Sequence, residues 1–186
     1  MGRIVKMNKK KLIFFIFFIQ FVNINLITKD SIKFEHITQQ HGLSQRIVYS
    51  IIQDKYGFLW FGTRNGLNRY DGDRFVIYKH KKNNPNSLSN NIIRSICHDR
   101  SGNLWIGTWG GGLNIFDIER EQFSQFVHNP EDMNSLMDNF IFKVFGATKN
   151  RLWILTRKGL QRFNFENKTF SSFCHNKKYR YFLIKR

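Results

Sequence analysis

The chain is short of the features that usually staple, kink or bury a fold. It has two cysteines, Cys97 and Cys174, in 186 residues. They sit at different places in the sequence pattern, so no disulfide framework is implied, and both read as free, partly buried thiols. Its two prolines, Pro85 and Pro130, fall in connections between apolar segments. The longest apolar run, "LIFFIFFIQFV" from Leu12 to Val22, is broken by a single Gln and falls short of the roughly 20 residues a membrane-spanning helix needs. Outside that run no window keeps a helical period, which argues against a helix bundle.

Acidic residues are also scarce, 13 against 30 Lys and Arg, for a net charge of +17. Such a charge points first to nucleic acid, but its distribution argues against that. Five basic residues lie in the first eleven positions and five in the last ten. Those between are scattered singly among Asn, Ile and Phe, without the clustering that tracks phosphates. The leading group, "MGRIVKMNKKK", is a positive n-region ahead of a short apolar h-region, so residues 1–28 read as a signal peptide or uncleaved anchor. The expected location is therefore exported, periplasmic or anchored at the inner membrane, with no nucleic-acid partner and membrane contact only through this segment. "NINLITKDS" supplies no clean small-x-small cleavage site.

What the chain has in abundance is repetition. "GFLWFGTRNGLNRYDG" is answered by "GNLWIGTWGGGLNIFD", and a third unit follows. The interval from Leu to Trp is 17 residues three times: Leu43 to Trp60, Leu88 to Trp105 and Leu136 to Trp153. Successive tryptophans are 45 and 48 residues apart, the variation falling in the connections. Each unit holds four short β-type segments separated by Gly and Asp turns, for example "RSICHD", "LWIGT", "GLNIFD" and "FSQFVH". Four strands per roughly 40–50 residues describe a propeller blade. The expected fold is all-β: blades over 41–80, 86–128 and 134–175, with "IKFEHIT" (32–38) as a leading strand of the kind that closes a ring, and a basic tail over 176–186.

One tryptophan per blade, Trp60, Trp105 and Trp153, is expected to pack between adjacent sheets. Gly62 and Gly107, two residues on and on the same strand face, leave room for a neighbour's bulk. The run Gly110–Gly112 looks like a phosphate loop, but a dinucleotide fingerprint must open a helix, and here another strand, "LNIFD", follows. It is expected to be a permissive turn.

These units resemble the two-component regulator propeller repeats of Bacteroidetes hybrid two-component sensors, on G-N-L-W-I-G-T, G-G-L-N and N-P-N-S-L-S over roughly residues 34 to 175. The resemblance implies an exported propeller that senses a ligand, often a glycan or its breakdown product, ahead of a membrane helix and a cytoplasmic histidine kinase. This chain has no room for the kinase, so no enzymatic activity is expected of it. The third unit departs from the pattern: Ala147–Asn150 replaces the Asp-to-Gly turn, and Leu155 stands where Gly62 and Gly107 stood. Closed propellers use about four to eight blades. Three would leave two faces and an edge open, so an incomplete propeller is expected, one that lacks further blades and does not close into a stable monomeric ring.

Residues that recur in every unit are spread around an axis and read as structural. This holds for His80, His128 and His175, which would stand too far apart to share a metal, and for Asp71 and Asp117, which are not a paired acid–base couple. Neither a metal nor another cofactor is expected. Ligand-binding candidates are instead residues peculiar to one blade and placed on loops: Arg46, Arg64, Arg94 and Trp109, with Tyr49 and Asn65 behind them. Exposed Trp and Arg suit sugar stacking and carboxylate pairing, and the expected partner is a small molecule or oligosaccharide. An enzyme of the streptogramin-lyase type, with His98 as its nearest catalytic residue, and a protein-binding repeat scaffold are the alternatives.

Overall fold

A computed structural model of the protein describes residues 34–148 and 151–173. The apolar leader, the tail, Asn150, Cys174 and His175 lie outside the described residues. The chain divides into two units, Met1–His36 and Ile37–Arg186. Of the first, only residues 34–36 are described, and they form no strand.

The second unit holds three separate four-stranded antiparallel sheets. The first sheet is β1 (Val48–Gln53), β2 (Leu59–Thr63), β3 (Gly66–Tyr70) and β4 (Phe75–Tyr78). The second is β5 (Ile93–His98), β6 (Leu104–Thr108), β7 (Leu113–Asp117) and β8 (Gln122–Phe126). The third is β9 (Ile141–Thr148), β10 (Arg151–Thr156), β11 (Gly159–Asn164) and β12 (Thr169–Phe173). Each is a meander whose neighbours in space are its neighbours in sequence. The only helix among the described residues is one 3-10 turn, Gln39–His41. The leading strand expected over 32–38 is not formed at residues 34–38. A strand exists only where a partner takes its N–H and C=O groups, and no strand of the three sheets pairs with this stretch.

The core lies between the sheets. One cluster joins Trp60 and Leu67 of the first sheet to Ile93, Ile96, Leu104 and Phe116 of the second. Another joins Trp105 and Leu113 of the second to Ile141, Val144, Leu152 and Phe163 of the third. Trp60 is fully buried, its ring 5.5 Å from that of Phe116, and Trp105 sits 5.1 Å from Phe163. Each such indole withdraws about 150–250 Å² from water.

The glycines beside the tryptophans set how closely the sheets approach. A Cβ on Gly62 would lie 2.7 Å from Cγ2 of Ile93, and one on Gly107 would lie 2.5 Å from Cγ2 of Ile141. The isoleucine that opens the second sheet, and the one that opens the third, therefore sits in the socket left by the previous sheet's glycine.

Polar groups complete the joint. The indole N–H of Trp60 donates to Asp54 Oδ2 at 2.7 Å, and that of Trp105 to Asp99 Oδ2 at 3.0 Å. Asp54 also accepts the backbone N–H of Tyr56 and Phe58, so one carboxylate fixes both the turn and the ring. The buried amides of Asn68, Asn114 and Gln161 accept the backbone N–H of Ser44, Ser89 and Met137, holding the loop that leads into each sheet. Two of the repeated histidines have the same structural task. Nδ1 of His80 and of His128 lies 2.7 Å from the carbonyl of Leu88 and Leu136, the first buried apolar residue of the following repeat.

The Gly110–Gly112 run is a turn between β6 and β7, as its sequence context requires. Gly110 and Gly112 have φ of 101° and 78°, which favours glycine. Both donate their N–H groups to the carbonyl of Asn139 on the next repeat.

The socket is testable. Gly62→Ala is expected to destabilise the protein by about 1–3 kcal/mol in urea titrations. Because the added methyl meets Ile93, the cost should be largely absent in an Ile93→Ala background; strict additivity of the two changes would disprove the contact.

Candidate functional site

The first strands of consecutive sheets face one another, β1 against β5 and β5 against β9. Each carries a β-bulge at the same place. The register skips one residue between Val48 and Ser50, between Ile93 and Ser95, and between Ile141 and Lys143. The extra residues are Tyr49, Arg94 and Phe142. A bulge re-aims its side chain and interrupts the ladder, so three sheets present three different side chains from equivalent positions. All three lie six residues after the repeat's leucine.

Serine hydroxyls hold these strands side by side. Ser50 Oγ accepts the N–H of Ile96 at 3.1 Å, and Ser95 Oγ accepts that of Val144 at 3.1 Å. The result is a continuous row across the three sheets. The Arg94 guanidinium lies over the ring of Tyr49 at 4.3 Å and over that of Trp109 at 5.5 Å. Trp109 meets Phe140 and Phe142 edge-on at 5.2 and 5.3 Å. Phe140 in turn carries the guanidinium of Arg157 at 4.3 Å, whose Nε donates to Asp138 at 3.0 Å.

The structure thus joins two of the four sequence candidates, Arg94 and Trp109, together with Tyr49. Arg46 and Arg64 stand at the same end of the first sheet, exposed and with no side-chain partner among the described residues. Arg46 precedes β1 and is not the counterpart of Arg94, which lies within β5 as the bulge. Asn65 is a turn residue, its side chain donating to the Ser44 carbonyl. Sequence reasoning missed Phe140, Phe142, Arg157 and Asp138. The constant six-residue offset from leucine would have found Phe142. Nothing in the sequence marks Asp138, which takes the place held by Gln45 and Asn90 in the other repeats.

The ends of the sheets differ in charge. The end bearing the row carries Arg46, Arg64, Arg94 and Arg157. The turns at the opposite end carry Asp54, Asp71, Asp99 and Asp117. Asp71 accepts the N–H of Arg74 and Asp73 at 2.7 and 2.8 Å. These bonds, that of Arg74 foremost, hold its carboxyl below the usual range. Asp117 is lowered likewise, chiefly by the N–H of Arg120. Both are turn anchors on different sheets. His98 ends β5, exposed, with Nδ1 3.4 Å from the Asp99 carbonyl. A cleft of about 220 Å³ at this end is lined by Lys55, Tyr56, Asn103 and Glu119 among others. Its Lys55 and Glu119 lie 3.9 Å apart and offset one another. Among the described residues no cluster of His, Cys, Asp or Glu could hold a metal, and no helix is long and apolar enough to cross a membrane.

The model of the two component regulator propeller family matches residues 42–65 and 87–110. Those two stretches, which lead into and through the second strands of the first two sheets, resemble two-component regulator propeller repeats. It is 45% identical over 74 residues to histidine kinase P4 of Formosa agariphila, a match covering 39% of the chain and 5% of the kinase. Its structure is similar to the extracellular domain of a B. thetaiotaomicron protein assigned as a hybrid two component system. That likeness has a TM-score of 0.71 and 32% identity over 75% of this chain, and 20% of the other. It shares its fold, at 21% identity and a TM-score of 0.51, with PorZ, a surface component of the type-IX secretion system of Porphyromonas gingivalis, over 63% of this chain and 17% of that one. The chain therefore spans a fifth or less of the length of these relatives, and the sheets are blades of the same propeller kind.

Cys97, beside the second core cluster, is free. Burial, reinforced by the charge of Asp99, pushes its thiol up to about 12. A thiol raised above its unfolded value of about 8.5 contributes stability that is complete below that value and lost as pH rises toward 12. In a Cys174→Ser background, iodoacetamide at pH 8 is expected to label Cys97 at least about tenfold more slowly in the folded than in the urea-unfolded protein. Equal rates would contradict the burial.

Proposed function

We propose that this chain is a sensory propeller segment of an exported two-component receptor. In this reading a small molecule or oligosaccharide binds the end of the blades that carries Tyr49, Arg94, Trp109 and Phe142. The carrying observation is the set of three aligned bulges, which present chemically different side chains where the repeat pattern is otherwise constant. Aromatic rings stack on the apolar face of a sugar, and guanidinium groups take its hydroxyl or carboxylate oxygens. The Bacteroides neighbour, an extracellular domain of a two-component system, supports exported sensing. The row holds no nucleophile–base pair, and the segment acts by binding. Further blades of the same repeat type complete the propeller, and the signal passes to a kinase carried elsewhere in the receptor.

In cells bearing a receptor that contains this segment, Arg94→Gln and Trp109→Ala are each expected to raise the ligand concentration for half-maximal reporter output at least about tenfold. Arg120→Ala, on the opposite end, should leave it unchanged. Wild-type responses from both row variants would retire the site.

A further inference from the structure

Building on that reading, we propose that Arg94 is the charge-reading residue of this site and that its ligand carries a carboxylate. The argument comes from how the protein treats two of its other ring-stacked arginines, the third, Arg162, lying 5.5 Å over Phe173. Arg157, over Phe140, has Asp138 at 3.0 Å. Arg69, over Phe58 and Trp60, has Glu121 at 3.1 Å. In both, the ring fixes the guanidinium plane and a carboxylate takes its N–H groups.

Arg94 has the rings, Tyr49 and Trp109, and lacks the carboxylate. Its Nε is buried without an acceptor, and its terminal nitrogens make no hydrogen bond to any described residue. A partly buried cation with its donors unanswered is costly. Asp138 answers Arg157 in the third blade, and the second blade has the neutral Asn90 and Trp109 at those two positions, so no carboxylate accompanies the row there. The same substitution by Gln45 leaves Arg64 of the first blade unpaired. Arg46, Arg64 and Arg94 thus converge on one end of the blades with no acidic partner among the described residues.

A ligand with a planar carboxylate supplies what is missing. Its two oxygens accept the parallel Nη1 and Nη2 hydrogens, while the adjoining ring of the ligand packs on Trp109 and Tyr49. Because Nε is covered, the fork is made by the two terminal nitrogens. A neutral hydroxylated ligand would leave the charge unbalanced and bind more weakly. Lysine cannot replace Arg94, since a compact ammonium neither lies flat on the rings nor makes a fork.

The test uses the full chain and side-chain NMR. The Arg94 Nε–H signal is assigned by its loss in Arg94→Lys and followed during titration. Two matched pairs serve as probes: benzoate against benzamide, and glucuronate against glucose. The expected result is a saturable shift of the Arg94 signal with each carboxylate, weaker by about tenfold or more with each neutral partner. In Arg94→Lys the Trp109 indole signal should report a similar loss of carboxylate affinity. Arg120→Ala, folded and fully responsive, guards against general effects of charge. Equal responses to charged and neutral probes at Trp109 and Tyr49 would overturn the carboxylate and leave the sensing face standing. No response to either carboxylate would also overturn it, while the receptor assay decides the sensing face separately.

Discussion

Everything in this arrangement depends on a bare glycine meeting a β-branched side chain: Gly62 against Ile93, and Gly107 against Ile141. On the same face two residues earlier stands a tryptophan, so the strand offers a bulky and an empty position in alternation. The following sheet must bring Phe116 or Phe163 to the indole and an isoleucine to the void. A slip of one residue would set isoleucine against nothing and turn the pattern to the other face. Packing therefore fixes the relation between sheets. Among the described residues, backbone bonding between the second and third repeats is confined to their turns, at the Trp109–Phe140 bridge and the Asn139 carbonyl. The carboxylates of Asp54, buried, and Asp99, partly buried, reinforce this by tying each indole to its own turn.

Close approach at the glycine has a consequence at the first strands. It brings β1, β5 and β9 near enough for Ser50 and Ser95 to reach the next strand's backbone. Those bonds lie immediately beside the bulges. The bulged residues are thereby carried on strands held side by side, and Arg94 reaches both the preceding blade's Tyr49 and its own blade's Trp109. A surface built this way belongs to no single repeat. Each blade contributes one or two variable residues to a frame made of invariant ones, which lets repeats diverge in recognition while keeping their packing.

The frame was legible in the sequence for the same reason. Leucine, tryptophan and glycine recur at fixed offsets because each repeat solves one packing problem, and the strand count and class followed directly. The roles of Asp54 and Asp99 were available in the constant six-residue offset to tryptophan. The row was harder to see. Its members come from bulges and turns 45 to 48 residues apart, and arginines scattered singly along the chain look like dispersed surface charge. Antiparallel meanders return every inner-strand start and every second turn to one end, and that topology converts scatter into a basic face. The pairing of Arg157 with Asp138 and the solitude of Arg94 depend on side-chain contacts between loops, which no period encodes.

The third blade shows the frame's logic by departing from it. Leu155 occupies the socket position, Lys143 stands where serine stitched the first strands, and Ala147 where aspartate held the indole. These are three separate interactions, yet all serve the same joint, that between one blade and the next. Trp153, whose counterparts are buried, is only partly covered and packs on Phe173 of its own sheet. A following sheet led by a β-branched residue could not enter where the leucine side chain stands, since even a methyl on Gly62 or Gly107 would collide. Whatever blade lies against this face must therefore approach in a different register or with a smaller leading residue. The third blade receives its predecessor by the common rule, while its own outer face departs from that rule at all three positions.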